Sequence, residues 1–181
     1  CITPAHAAGT VSLVVTNTDT QTDTLAASFT YRAVPTINAV SPLAGPLAGG
    51  NTITLTGTDF VTGATVTVGG SACGSVNVVS GTTLTCVAPP HAAGAVDLVV
   101  TNTDTQSGTL VGGYTYQPAP TLTAVSPLVG SLAGGTTITL TGTGFVTGAT
   151  VTLDGDTCTS VNVNSATNID CVTPAHVAGP V

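Results

Sequence analysis

The chain has 181 residues, a formal net charge of −7 and a single basic residue, Arg32, against eight Asp. This charge balance excludes the cationic surface that nucleic acid or an anionic membrane requires. No apolar run approaches the ~18 residues that a membrane-spanning helix needs. Abundant Thr and Val, with 22 Gly and 11 Pro, favour strands and turns over helices. The predicted fold class is therefore all-β.

The first predicted elements are two strands within residues 1–34, where apolar and polar side chains alternate. Residues 35–119 carry seven further strands separated by Gly, Pro and Asn-Thr-Asp turns. Their predicted ranges are 37–41, 52–57, 65–68, 75–79, 83–87, 95–101 and 110–116. Seven short strands in about 85 residues are typical of a β-sandwich. Residues 120–181 repeat the earlier strands of this series, without counterparts of its last two.

The chain repeats itself with a period of 85 residues and no gaps. Residues 35–96 align with residues 120–181 and are identical at 42 of 62 positions. We expect a complete repeat at 35–119, the last two strands of a preceding repeat at 1–34, and a following repeat without its last two strands at 120–181. The linkers RAVPT and QPAPT are short and contain Pro, which predicts a semi-rigid rod.

The cysteines recur in the same register. Cys73 and Cys86 lie 13 residues apart on consecutive predicted strands, and Cys158 and Cys171 repeat the arrangement. This spacing without a CxxC motif predicts two structural disulfides and an oxidising compartment. Closing a loop of this size is worth roughly 3 kcal/mol. Cys1 is the counterpart of Cys86, so its partner is expected outside the segment or in a neighbouring copy. The same register explains Cys1 without an acylated lipoprotein start.

One His recurs after Pro in each repeat, at His6, His91 and His176. A zinc site needs three or four converging ligands. No second His, carboxylate or thiol pair accompanies these residues, so we interpret them as surface turn residues. No Ser-His-Asp triad can be recognised in the sequence either. We therefore predict that the chain is not an enzyme and has no catalytic residue, cofactor or metal.

Asp residues are the remaining candidate ligands. Asp19 and Asp104 lie in the recurring TNTDTQ motif, and Asp154 and Asp156 are two residues apart. Paired carboxylates can bind calcium, but Asn-Thr-Asp between two strands is ordinary turn chemistry. The counterparts of Asp154 and Asp156 in the preceding repeat are Gly and Ser. We therefore predict turn residues here.

The motif from Ser41 and Pro42 through Gly49-Gly50, TITLTG and Phe60 resembles the IPT/TIG family of immunoglobulin-like domains. GATVTVGGSAC and TTLTCVAPPHAAGAVDLVVTN are similar to its bacterial branch, which occurs in tandem in large surface and secreted proteins. The resemblance covers the entire chain and implies tandem immunoglobulin-like β-sandwiches. The transcription-factor branch has basic DNA-contacting loops, which this sequence lacks.

These observations predict a structural segment of an extracellular or cell-surface stalk or filament. The alternative is an adhesin or glycan-binding accessory module of a larger secreted protein. Sugar sites usually present aromatic platforms, but Tyr31, Tyr114 and Tyr116 lie in strands where packing is the expected role. No nucleic-acid partner and no membrane insertion is expected, and the expected partners are neighbouring copies of the chain, with a surface glycan or protein as a further ligand.

The two ends are complementary. Residues 1–34 carry the last strands of a sandwich and residues 120–181 the preceding ones, so we expect them to complete a sandwich between copies, head to tail. Either the segment is a window of a longer polypeptide, or separate subunits donate strands to one another. Residues 171–181 align with residues 1–11, which sets two versions of one strand in competition and favours the window.

Overall fold

The computed structural model describes residues 1–177, and those residues form strands with no helix among them. The all-β fold is confirmed. No helix capable of crossing a bilayer occurs in this described part of the chain. The chain divides into two compact units, Cys1–Tyr116 and Gln117–Val181. The boundaries of the predicted repeats stay a prediction.

The first unit opens with a hairpin of two antiparallel strands, β1 and β2, which pair with each other and with no further strand of the described chain. Nine more strands follow and form the complete repeat. The bounds are β1 Gly9–Thr16, β2 Thr22–Tyr31, β3 Thr36–Ser41, β4 Ala44–Pro46, β5 Thr52–Thr58, β6 Thr65–Val68, β7 Ser71–Ala72, β8 Gly74–Ser80, β9 Thr83–Val87, β10 Gly94–Thr101 and β11 Ser107–Gln117.

The complete repeat is a sandwich of two antiparallel sheets, ordered β3-β5-β9-β8 and β4-β11-β10-β6-β7. Alternate residues of each strand point inward because successive strand side chains face opposite sides of a sheet. The inward residues of both sheets pack into one apolar core. Its fully buried members include Ile53, Leu55, Val66, Val68, Leu84, Leu98, Val100, Tyr114 and Tyr116.

All seven strands predicted within the complete repeat are present, with ends that differ by a few residues. Two short strands, β4 and β7, were not predicted. β4 has three residues that include Gly45 and Pro46, and it pairs on one side with β11. β7 pairs through two residues with β6. Neither strand is long enough to show the alternation on which strand prediction relies.

The second unit repeats the first sheet of the sandwich. A four-stranded sheet has the order β12-β13-β17-β16, and β14 and β15 form a separate two-residue ladder. Its core is smaller than that of the complete repeat. The bounds are β12 Thr121–Ser126, β13 Thr137–Thr143, β14 Thr152–Leu153, β15 Asp156–Thr157, β16 Thr159–Ser165 and β17 Asn168–Val172.

Candidate interaction site

The disulfide of the complete repeat joins its two sheets. Cys73 lies between β7 and β8, where the chain leaves one sheet for the other, and Cys86 lies in β9. The two residues are bonded, with Cα atoms 5.9 Å apart, within the usual range for a bridge. Cys86 points into the core beside Leu84, as its parity predicted. The predicted Cys73–Cys86 disulfide therefore ties the crossover to the opposite sheet.

The corresponding pair in the second unit consists of two buried thiols, Cys158 and Cys171. Burial, followed by a hydrogen bond with the Cys158 thiol, raises the pKa of Cys171 to about 12. The predicted bridge between them is not formed in the structure and stays a prediction. Cys171 lies in β17 and Cys158 lies between β15 and β16, and their side chains are within hydrogen-bond reach of each other. Cys1 is an exposed thiol, and its predicted partner is untested.

The hairpin β1–β2 presents an unpartnered apolar side, which we call the hairpin face: Leu13, Val15, Leu25 and Phe29. Leu13 is 50% exposed and Val15 is 67% exposed. The register of this hairpin is that of β10–β11, including the irregularity after the first three pairs. In β10–β11 the counterparts of the hairpin face are buried or partly buried against the core. The hairpin therefore has the register and the apolar residues that cover a second sheet in the complete repeat, but its own apolar side is exposed.

The second unit has a complementary open side, which we call the acceptor face: Leu122, Val125, Leu132, Val151 and Leu153. Leu122 is 66% exposed and Val125 is 36% exposed. Their counterparts in the complete repeat, Ile37 and Val40, are 7% and 4% exposed. The described residues of the second unit contain no counterpart of β10 or β11. Each of these two faces groups exposed apolar side chains on one side of a sheet.

The two core tyrosines of the complete repeat carry hydrogen bonds as well as packing. The Tyr114 hydroxyl lies 2.8 Å from Nδ2 of Asn51, and the Tyr116 hydroxyl donates to the Pro89 carbonyl at 2.6 Å. Burial, and secondarily Tyr114, raises the pKa of Tyr116. Both rings are buried, so the expected packing role is confirmed and neither ring is an exposed platform for a sugar.

The IPT/TIG domain family matches residues 35–117 and 120–181. The chain belongs to this family. It is 32% identical over 187 residues to fibrocystin-L of Mus musculus, and 32% identical over 186 residues to fibrocystin-L of Homo sapiens. These alignments cover 98% and 97% of the chain but 4% of either relative. Among solved structures, the full extracellular region of plexin A4 matches with a TM-score of 0.51 and 22% identity, over 98% of this chain and 16% of that one. The plexin likeness supports the fold alone.

The recurring His has a packing role in the IPT/TIG repeat that sequence reasoning missed. His91 stacks on Tyr116 with ring centroids 5.1 Å apart, and His6 stacks on Tyr31 at 4.9 Å. Each His lies in the loop that follows Pro. Nδ1 of each ring lies within hydrogen-bond distance of the next residue's carbonyl oxygen. It donates to this oxygen in the tautomer that carries the proton on Nδ1. The equal His-to-Tyr spacing in both copies was the signal that could have found these pairs.

The four Asp residues considered as calcium ligands lie in turns or, for Asp156, at the start of β15. The backbone N–H of Gln21 donates to Asp19, and that of Gln106 donates to Asp104, each at 3.2 Å. This is the turn chemistry that the sequence predicted. Asp154 lies 3.4 Å from Nε2 of His176 and pairs with it when the imidazole is protonated. Across residues 1–177, no group of three His, Cys, Asp or Glu side chains is placed to hold a metal ion.

Proposed function

We propose that this chain is a structural segment of an extracellular or cell-surface stalk or filament, in which IPT/TIG repeats serve as semi-rigid, disulfide-stapled spacers. The observation that carries the proposal is that the polar side chains buried in the complete repeat bind other parts of the same repeat. The Tyr116 hydroxyl, the Asn51 amide, the His91 ring and both cysteines are used in this way.

The linkers support the semi-rigid part of the proposal. Each unit is followed or preceded by a short Pro-containing segment, and Pro restricts the backbone of its neighbours. Repeats built this way extend the length of a protein without adding chemistry. The disulfide supports an oxidising location outside the cell. The role concerns this segment, which spans about 4% of the length of its fibrocystin-L relatives.

Two measurements test the proposal. Electron micrographs of the native protein should show thin, extended projections, and compact particles would overturn the proposal. In single-molecule stretching of the chain, the complete repeat should unfold as one event. Reductant should then release about 40 Å more, from the residues enclosed by Cys73 and Cys86 at ~3.5 Å each. Loss of this release in a Cys73→Ser, Cys86→Ser chain is the control.

The rival function is an adhesin or glycan-binding module. With Tyr114 and Tyr116 buried, the aromatic rings left for a sugar are Phe29 and Tyr31 of the hairpin. Glycan-array binding that disappears in Phe29→Ala or Tyr31→Ala would favour this rival over the spacer.

A further inference from the structure

We propose that the TNTDTQ turn at 101–106 is a latch that holds the preceding linker, residues 32–35, against the complete repeat. The latch also shields the peptide bond after Arg32, the one basic residue of the sequence and therefore the one cleavage site for a trypsin-like protease. The inference rests on the proposed spacer function and deepens it, because it names the contact that fixes a repeat to the linker before it.

A buried asparagine anchors the backbone of this turn. Nδ2 of Asn102 donates to the Asp59 carbonyl at 2.8 Å, and the Val61 N–H donates to Oδ1 of Asn102 at 3.2 Å. Asn102 is 3% exposed, so breaking these bonds would leave buried polar groups without partners. The Asn102 N–H donates in turn to the Gln106 carbonyl at 2.9 Å. The turn is therefore fixed to another loop of its own repeat.

Asp104 orients the Gln106 side chain towards the linker. The Gln106 N–H donates to Oδ1 of Asp104 at 3.2 Å, and Nε2 of Gln106 donates to Oδ2 at 3.1 Å. The same Nε2 lies 3.3 Å from the Arg32 carbonyl oxygen and donates to it. A side-chain amide has two N–H donors, so it can make both contacts at once. Gln106 thus joins the turn carboxylate to the backbone of the linker.

The linker has a second point of contact close to the first. Pro35 is fully buried. A Cβ on Gly108 would lie 2.0 Å from the Pro35 carbonyl oxygen, so a glycine is needed for β11 to approach the linker this closely. Residues just before and at the start of β11 therefore hold the linker at both Arg32 and Pro35. All these groups lie between residues 32 and 108, so the latch involves neither end of the chain.

Between these two points the linker is open to solvent. Arg32, Ala33 and Val34 are exposed and belong to no strand. Within residues 1–177, the Arg32 guanidinium forms no ion pair. The side chain is therefore free to enter the acidic specificity pocket of a trypsin-like protease. The carbonyl that such a protease attacks is the one that Gln106 holds, so cleavage requires the latch to open.

The latch does not depend on the residue type in the linker, because its acceptor is a backbone carbonyl. TNTDTQ also occurs 85 residues earlier, at 16–21. There the Gln21 N–H donates to Asp19 at 3.2 Å, and the Asn17 N–H donates to the Gln21 carbonyl at 2.9 Å, as their counterparts do in the complete repeat. We therefore expect each copy of the motif to hold the linker that precedes its own repeat.

Limited digestion with trypsin tests the latch, because the full chain contains a single cleavage site. A cut after Arg32 yields fragments 1–32 and 33–181, which mass spectrometry identifies. When the linker opens and closes faster than trypsin cuts, the cleavage rate follows the population of the open state. Gln106→Ala removes the amide and should raise the rate about fivefold. Gln106→Glu keeps the side-chain size but loses the donor and repels Asp104, so it should raise the rate at least as much.

Gln21→Ala is the matched control. Gln21 has the same position in the motif, but it lies at the turn end of the β1–β2 hairpin, whereas Arg32 follows the opposite end. This variant should be cut at the rate of the parent chain. A synthetic peptide of residues 26–38 gives the rate for an open linker. The proposal is overturned if both Gln106 variants are cut like the parent, if Gln21→Ala has the same effect as Gln106→Ala, or if the parent is cut as fast as the peptide.

These results are separable from the spacer function itself. If the Gln106 variants are cut like the parent but the native protein forms extended projections, the latch is wrong and the spacer proposal stands. If the variants are cut faster as expected but the native particle is compact, the spacer proposal fails alone.

Discussion

The complete repeat and the second unit share most of their strand sequences but bury them differently. Val40 and Ile37 are buried in the complete repeat, while their counterparts Val125 and Leu122 are exposed in the second unit. The difference lies in β10 and β11, which cover the first sheet in the complete repeat. Alternation along a strand therefore determines which side chains can be buried, and the presence of the opposite sheet determines whether they are.

The same comparison explains the short strand β4. Ala44–Pro46 is a strand because β11 lies beside it and supplies hydrogen bonds. The corresponding residues 129–131 of the second unit have no such neighbour and form no strand. An edge strand of three residues thus depends on its partner more than on its own sequence.

The largest expected effect comes from truncating a core side chain at a position that occurs in both the β1–β2 and the β10–β11 hairpin. Leu98→Ala should destabilise the complete repeat by about 2–5 kcal/mol, because Leu98 is fully buried. Leu13→Ala, at the same position of the exposed hairpin, should change stability by less than about 0.5 kcal/mol in the monomer. Denaturant unfolding at low protein concentration measures both. Equal losses would contradict the view that β1–β2 is unpartnered within the chain.

The next effect concerns the two cysteine pairs. Cys73→Ser with Cys86→Ser should cost the complete repeat about 3 kcal/mol, from the entropy of the unfolded loop. If Cys158 and Cys171 also bond, as the sequence predicts, the intact mass of the oxidised chain should rise by about four hydrogens on reduction. A rise of about two hydrogens would show that Cys158 and Cys171 remain reduced in the oxidised chain.

The strands, the Cys73–Cys86 disulfide and the buried tyrosines were predictable because each leaves a local or repeated signal in the sequence. Alternation gave the strands, and constant spacing gave the disulfide. The stacking of His91 on Tyr116 was missed because the two rings come from distant segments that the fold brings together. The open faces were anticipated from the missing strands, but the exposure of each side chain depends on tertiary packing.

A smaller effect should follow from removing one hydroxyl from the core. Tyr114→Phe should destabilise the complete repeat by about 1 kcal/mol, because Asn51 is left with an unpaired amide. Phe29→Tyr adds a hydroxyl at the counterpart position of the exposed hairpin, where water can solvate it, and should be neutral in the monomer. Thermal unfolding compares them, and a Tyr114→Phe chain as stable as the parent would remove the Asn51 contact from the list of stabilising interactions. The double variant Tyr114→Phe with Asn51→Thr introduces the residue types that Phe29 and Thr136 have at the corresponding positions of the other copies. It should recover most of the loss.

The last effect is absent at neutral pH and appears only in alkali. In the reduced chain, burial and the Cys158 thiol raise the pKa of Cys171 from 9.0 to about 12. The folded second unit therefore holds this proton more tightly than the unfolded chain does. The stability from this group is fully present below about pH 9 and is lost as the pH rises towards about 12. Unfolding of the reduced chain, followed between about pH 7 and 11, should show this decline. Cys171→Ala is the control, since it removes the titrating thiol while keeping the strand, and a decline of equal slope in that variant would assign the pH dependence to other groups.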